Sequence, residues 1–299
     1  MKRIVVLSLV LAVAIAGLYL AQHRRHFDAV SPDAILDAGA DLERDMTRAP
    51  MQMTRLSDAE EIRIGDQLAQ CYINELPVPS ASMQATQRYV ARVGERVAAH
   101  ARRRLPYRFH LIPDPNFVNA FAIPGGHVFI GQGLINQMST EDELAFVLGH
   151  EIEHIDHYHA AERVQIEARL HNLNLDAVAA VAQFPLSLWQ AGYTKDQEFE
   201  ADREGLRIAA VSGYSPQGAI MVLNRFLTLH REYVIHAETP TGELSQVAIE
   251  GLEGYFRSHP ETSERLAQVM QVIAEDRMAM AIPLTPLSDE YKSVIAQKP

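Results

Sequence analysis

Three side chains near the middle of the 299-residue chain have the types and spacing of a hydrolytic metal centre: His150, Glu151 and His154, within His150-Glu151-Ile152-Glu153-His154. At about 100° per helical residue, His154 lies about 40° round from His150 and one turn along, so both imidazoles converge on one ion. Glu151 sits about 100° from His150, near enough to hold and deprotonate a water on that ion. Bound Zn²⁺ brings such a water's pKa towards roughly 7, so the nucleophile forms at neutral pH and Glu151 can pass the proton to a leaving amine. The chemistry implied is zinc-dependent hydrolysis of peptide bonds, with one zinc per subunit.

Two imidazoles leave zinc short of ligands, so a third protein donor is needed. In the arrangement HExxHxxGxxH a third histidine follows the second by six residues. Here His157 and Ala160 stand at the Gly and His places, which excludes that class. His157 faces the same side as His150 but lies about 10 Å along the axis, too far for the same ion. It and His159 read as helix-end histidines favoured by the dipole. The other solution is a carboxylate from a later helix. In Glu198-Phe199-Glu200-Ala201-Asp202, Glu198 and Asp202 share a face, so Glu198 can bind metal while Asp202 accepts the back proton of a ligand histidine. Glu200 and Glu204 have the same spacing, and geometry alone leaves the choice open. Composition narrows the donors further. A single cysteine, Cys71, rules out a disulfide framework and a multi-cysteine cluster, while 13 histidines are available. With 38 acidic against 27 basic residues, nucleic acid is not the expected partner.

The elements that must position these groups are legible in outline. Thr140-Glu141-Asp142-Glu143 is a capping box and predicts a helix through about Tyr158. Ser57-Asp58-Ala59-Glu60 opens another, running to about Leu76 before Pro77 and Pro79 break it. A helix from about Ala81 to Arg103 follows, its Arg102-Arg103-Arg104 run reading as a solvated helix end. Tyr107 to Ile112 alternates like a strand; Val118 to Ile123 and His127 to Ile130 read as two more, joined by Pro124-Gly125-Gly126. Helical patches at 160–190, 195–212, 216–230 and 260–280 complete an α+β layout, mostly helical with a small sheet. No internal repeat of about 30 to 45 residues is present.

Before this body stands an apolar segment. After Met1-Lys2-Arg3, Ile4 to Ala21 is free of charge and reaches about 27 Å as a helix, close to the thickness of a bilayer core. It reads as a single-pass anchor, or as a signal peptide cleaved near Ala14-Ile15-Ala16. No cysteine follows, which excludes lipoprotein processing. The expected organisation is a signal anchor or signal peptide at 1–26, a tether at 27–54, a zinc metallopeptidase domain at 55–280 and a C-terminal tail at 281–299. The expected location is the inner membrane with the catalytic domain in the periplasm, or the periplasm itself if the segment is removed.

HExxH followed by an E-x-E-A-D helix resembles the membrane-associated gluzincin metallopeptidases of the CAAX-prenyl-endopeptidase and HtpX type, most closely their periplasmic BepA-like branch without its C-terminal repeat domain. Asn119-Ala120-Phe121-Ala122-Ile123-Pro124-Gly125-Gly126-His127-Val128 and Ser258-His259-Pro260, with Arg265 beyond, extend the resemblance over about residues 55 to 275. A single apolar span departs from the multi-span members. The resemblance implies a zincin-like fold, Glu198 as third ligand and Asp202 as the group that orients a ligand histidine. It further implies polypeptide substrates that are misfolded or misassembled, and envelope protein-assembly machinery as a partner. Two expectations follow for individual segments. His127, Val128, Phe129 and Ile130 should form an edge strand that accepts substrate by β-augmentation. His259 should reach the metal as a fourth ligand that holds the enzyme latent, or stabilise the oxyanion in the open state. The rival functions are a non-proteolytic chaperone using the same groove, which has no need of Glu151, and a prenyl-protein endopeptidase, for which a multi-span chamber is lacking.

Overall fold

In the computed structural model, residues 56–170, 192–238, 259, 262–288 and 291 are described. The apolar run, the tether and residues 171–190 of the helical patch expected at 160–190 lie outside them. Among the described residues no helix is long and apolar enough to cross a membrane.

Helix α1 (Asp58–Glu75) starts where Ser57 and Glu60 exchange capping bonds, and α2 (Ala81–Ala98) starts at Ser80 after the two prolines. The second helix stops five residues short of the expected Arg103. The reason lies in Asp156, whose carboxylate accepts the backbone N–H groups of Arg102 (2.8 Å) and Arg103 (2.6 Å) and draws the chain out of the helix. Nor is the arginine run simply solvated. Arg103 is buried against Glu61 (2.5 Å), pairs with Asp58 (2.6 Å) and lies 3.8 Å over the Tyr158 ring.

The chain then forms β1 (Arg108–Ile112), β2 (Ala120–Ile123) and β3 (His127–Gly131), in the order β1-β3-β2. Strand β3 runs parallel to β1 and antiparallel to β2. Gly125 and Gly126, at φ 79° and 100°, make the tight return that a residue with a side chain would strain. The expected edge strand is therefore the central one: residues 127–130 are paired on both sides and every side chain of β3 is buried. Both outer strands differ from it. On β1 the Gln87 side-chain amide donates to Phe109 O (2.5 Å) and accepts from Leu111 N (2.6 Å), occupying the outer edge.

One face of the sheet packs on α1 through Phe121, Ile123, Phe129, Leu68 and Tyr72, whose ring meets Phe121 and Phe129 edge-on. The other face joins the main core, shared by α2, α4 (Glu141–Asp156), α6 (Lys195–Val211), α7 (Gln217–Glu238) and α8 (Thr262–Glu275). A short α3 (Gln132–Ile135) and α5 (His159–Leu170) complete the order. Helix α4 is the hub: every residue from Asp142 to Asp156 is buried, the acidic Asp142, Glu143, Glu151, Glu153 and Asp156 and both histidines included. Its N-terminus is held twice, by the Thr140/Glu143 capping box and by Thr285, which accepts from Glu141 N (2.8 Å) and donates to Asp142 (2.6 Å). The expected C-terminal tail is thus partly a strap, with Leu287 and Tyr291 buried in the core and Tyr291 stacked on Tyr89 at 5.7 Å.

Candidate active site

Helices α4 and α6 cross where Gly149 meets Gly205. A Cβ on Gly205 would stand 2.6 Å from His150 N, and one on Gly149 2.7 Å from Gly205 O. The absent side chains let the backbones approach closely, and that approach brings Glu198 and Asp202 of α6 against the histidines of α4. His150 Nε2 and His154 Nε2 face each other at 3.0 Å, with Glu198 oxygens at 3.6 and 3.4 Å from them. His259 completes the group: its Nδ1 lies 2.9 Å from Glu198 Oε2, and one ligand atom from each of the four residues falls within 4.8 Å of the rest.

Behind this ring, His150 Nδ1 meets Asp202 Oδ1 at 2.8 Å, and Arg265 grips the same carboxylate through Nε (2.7 Å) and Nη2 (2.8 Å). Burial opposes ionisation of Glu198 and Asp202, yet cationic neighbours win. His259 and Arg265 hold Glu198 well below the usual carboxylate range, and Arg265 does the same, more mildly, for Asp202. Burial keeps His154 well below the ordinary imidazole range, hence neutral with a lone pair to give. Burial raises the Glu151 carboxyl, as suits a general base.

The donor set suits zinc. Two neutral-capable Nε2 atoms and a carboxylate are the N and O ligands zinc takes, and two such nitrogens on one tetrahedral ion at bonds of about 2.05 Å would lie about 3.3 Å apart. Glu198 Oε1 and Glu151 Oε2 are buried without a hydrogen-bond partner, an arrangement that an ion and its water would satisfy. Ala120, Phe146, Val147, His150, Glu151, Phe226, His259 and Arg265 line a space of about 10 Å³, enough for about one water.

The sequence profile of Peptidase family M48 matches residues 84–273, a span that holds α4, α6, His259 and Arg265. The chain belongs to peptidase family M48. Among curated relatives, the beta-barrel assembly-enhancing protease of Yersinia pestis is 27% identical over 236 residues, 70% of this chain and 47% of that protein. Its counterpart in Escherichia coli O157:H7 is 29% identical over 194 residues, covering 58% and 38%. The mitochondrial metalloendopeptidase OMA1 of Schizosaccharomyces pombe is 26% identical over 202 residues, covering 65% and 55%. The chain thus spans about half or less of the length of its first relatives.

Within the M48 domain the two rival glutamates part company. Glu198 points into the histidine ring, whereas Glu200 turns to His157 Nδ1 (3.1 Å) and His159 Nε2 (3.3 Å), and the hydrogen bond from His159 pulls its carboxyl down to about 2. His127 to Ile130 do not join the site; the strand that borders it is β2, through Ala120. His127 instead bonds Asp66 and His110, each at 2.9 Å. Two residues beside the centre carry no signal in the sequence motifs. Tyr193 stacks on His154 at 3.7 Å and 14°, and His159 Nδ1 lies 3.0 Å from His154 Nδ1. The first stands outside any motif, and the second reads as an ordinary helix end.

Proposed function

We propose that this M48 chain is a zinc-dependent endopeptidase acting on misfolded or misassembled envelope polypeptides, with zinc held by His150, His154 and Glu198. The observation that carries the reading is the convergence of those three side chains on one point beside the buried, unpartnered Glu151 Oε2. The names of the relatives, beta-barrel assembly-enhancing protease and metalloendopeptidase, support peptide-bond hydrolysis, and the first of them supports a link to β-barrel assembly. The expected N-terminal anchor and periplasmic location belong to the same proposal.

Zinc, when bound, supplies Lewis acidity to the scissile carbonyl and lowers the pKa of the attacking water. Glu151 takes the proton of that water and returns it to the leaving amine. Asp202, clamped by Arg265, holds His150 with its proton on Nδ1 and its lone pair forward. An extended substrate adds to β2 rather than to β3, because β2 is an outer strand, although buried in this form, and begins at Ala120, beside His150 and Glu151. His259, 2.9 Å from Glu198 and 3.8 Å from Glu151, fills the place a substrate carbonyl would need and so keeps this form latent.

Casein degradation by the purified chain is the test, run with and without a chelator and beside Glu151→Gln. The expected result is zinc retained near one equivalent in Glu151→Gln with cleavage lost by at least about 10³-fold, and His259→Ala cleaving faster than wild type. Proteolysis by Glu151→Gln, or chelator-resistant proteolysis, would sink the assignment in favour of a contaminant or a binding role.

A further inference from the structure

Each imidazole that faces the metal position has a back nitrogen, and the proton on it must go somewhere. His150 directs its own to Asp202. His154 directs its Nδ1 to a third imidazole, His159, at 3.0 Å, and His159 Nε2 stands 3.3 Å from Glu200 Oε2. Counting protons gives this chain one direction. An imidazole that offers its Nε2 lone pair to a metal keeps its single proton on Nδ1. His159 Nδ1 must then accept, so the proton of His159 sits on Nε2 and is donated to Glu200.

The backbone is bent to make this contact. Helix α4 ends at Asp156, and α5 begins at His159 after Tyr158, a non-glycine residue at φ 65°. That left-handed residue folds His159 back over the preceding turn, onto His154, and Arg103 lies over its ring at 3.8 Å. An unbroken helix would carry His159, five residues on, round to another face. Tyr193 stacks on a face of the same His154 ring at 3.7 Å.

We propose that His159 and Glu200 are positioning residues of the metal centre, forming a Glu200–His159–His154 hydrogen-bond chain that fixes the tautomer and ring angle of His154. It does for the second histidine what Arg265 and Asp202 do for the first. The inference rests on reading His154 as a metal ligand. It also gives a use to the glutamate that spacing alone makes a rival of Glu198. The same neighbourhood admits another occupant, because His157, His159 and Glu200 offer ligand atoms within 4.8 Å of one another. A cation there would need the His159 Nε2 lone pair, which the bond to His154 fills with a proton.

The test measures zinc affinity of the full-length chain by chelator competition, with the absorption spectrum of the Co²⁺-loaded protein as a second readout. The variants are His159→Phe, His159→Asn, Glu200→Gln and the double His159→Asn/Glu200→Gln. Loss of such an outer partner weakens metal binding by about 10- to 100-fold, and that is expected for His159→Phe. Glu200→Gln should lose about tenfold and shift the Co²⁺ spectrum. His159→Asn should recover part of the loss, since its amide oxygen takes the Nδ1 position and accepts from His154. In that background Glu200→Gln should cost nothing more, because the link to Glu200 is already cut. If apo His159→Phe loses its far-ultraviolet circular dichroism, the Asn and Gln variants decide alone. Wild-type affinity in Glu200→Gln, or an equal cost with and without His159→Asn, overturns the proposal. So does binding of two zinc ions with only one lost in His159→Phe, which would make the cluster a second metal site. A wild-type chain that binds no zinc fails the metal reading and this one together.

Discussion

Arg265 is buried to 2% exposure and carries two carboxylates at once, gripping Asp202 through two bonds and approaching Glu198 at 3.4 Å. Removing one member of a buried charge group strands the others, so Arg265→Ala should destabilise the apo protein by about 3–5 kcal/mol in urea unfolding. Arg265→Lys keeps the charge but loses the fork, and should fall between. At this scale the sequence was informative where a fixed spacing on one helix does the work: the i, i+4 pair His150 and His154 with Glu151 between. It was silent where the decision depends on where two helices meet. Glu198 and Glu200 have equal claims by periodicity, and only the crossing of α4 and α6 turns one inward and the other towards His159. The contact of His159 with His154 has no signal in the sequence, because the turn before it is made by Tyr158 at φ 65°, without the glycine or asparagine that advertises such a turn.

Among elements, that crossing is the sensitive joint. Gly205→Ala places a methyl group 2.6 Å from the backbone of His150, so the helices must separate. The expected outcome is about 1–3 kcal/mol of destabilisation by thermal melting, together with weaker zinc binding. Gly213→Ala serves as a comparison in which the methyl group meets only the end of a flexible arginine, although φ of 89° adds its own local cost. The helices and strands themselves were readable from capping boxes and alternation, but the order of the sheet was not. Val128-Phe129-Ile130 is a continuous apolar run, a pattern belonging to strands buried on both faces. That pattern argues for the centre of the sheet and against its edge, and the structure follows it.

Across the whole molecule, stability is expected to decline in mild acid. Burial, with His127 and Arg108 adding like charge, lowers His110 from 6.5 to about 4. The unfolded chain therefore binds the proton first, and stability falls as pH drops from about 6.5 to 4, by an amount of order 1–3 kcal/mol for this residue. His110→Phe, which keeps the stack on Phe129, should flatten that part of the pH dependence of urea unfolding. The C-terminal strap has a larger effect. Ending the chain at Ile282 strips Thr285 from the head of α4 and empties the sites of Leu287 and Tyr291, worth about 1.5–3 kcal/mol for each side chain. The melting temperature of such a truncation should drop by more than ten degrees. The position of that strap also bears on biosynthesis. The groups of the centre come from residues 150–154, 198–202 and 259–265, and the helix that bears the first set is capped by residue 285. A chain is made from its N-terminus, so most of this one is synthesised before the residues of that group are all present. The group can assemble only after Arg265 has been added, and α4 receives its full N-terminal cap only after Thr285.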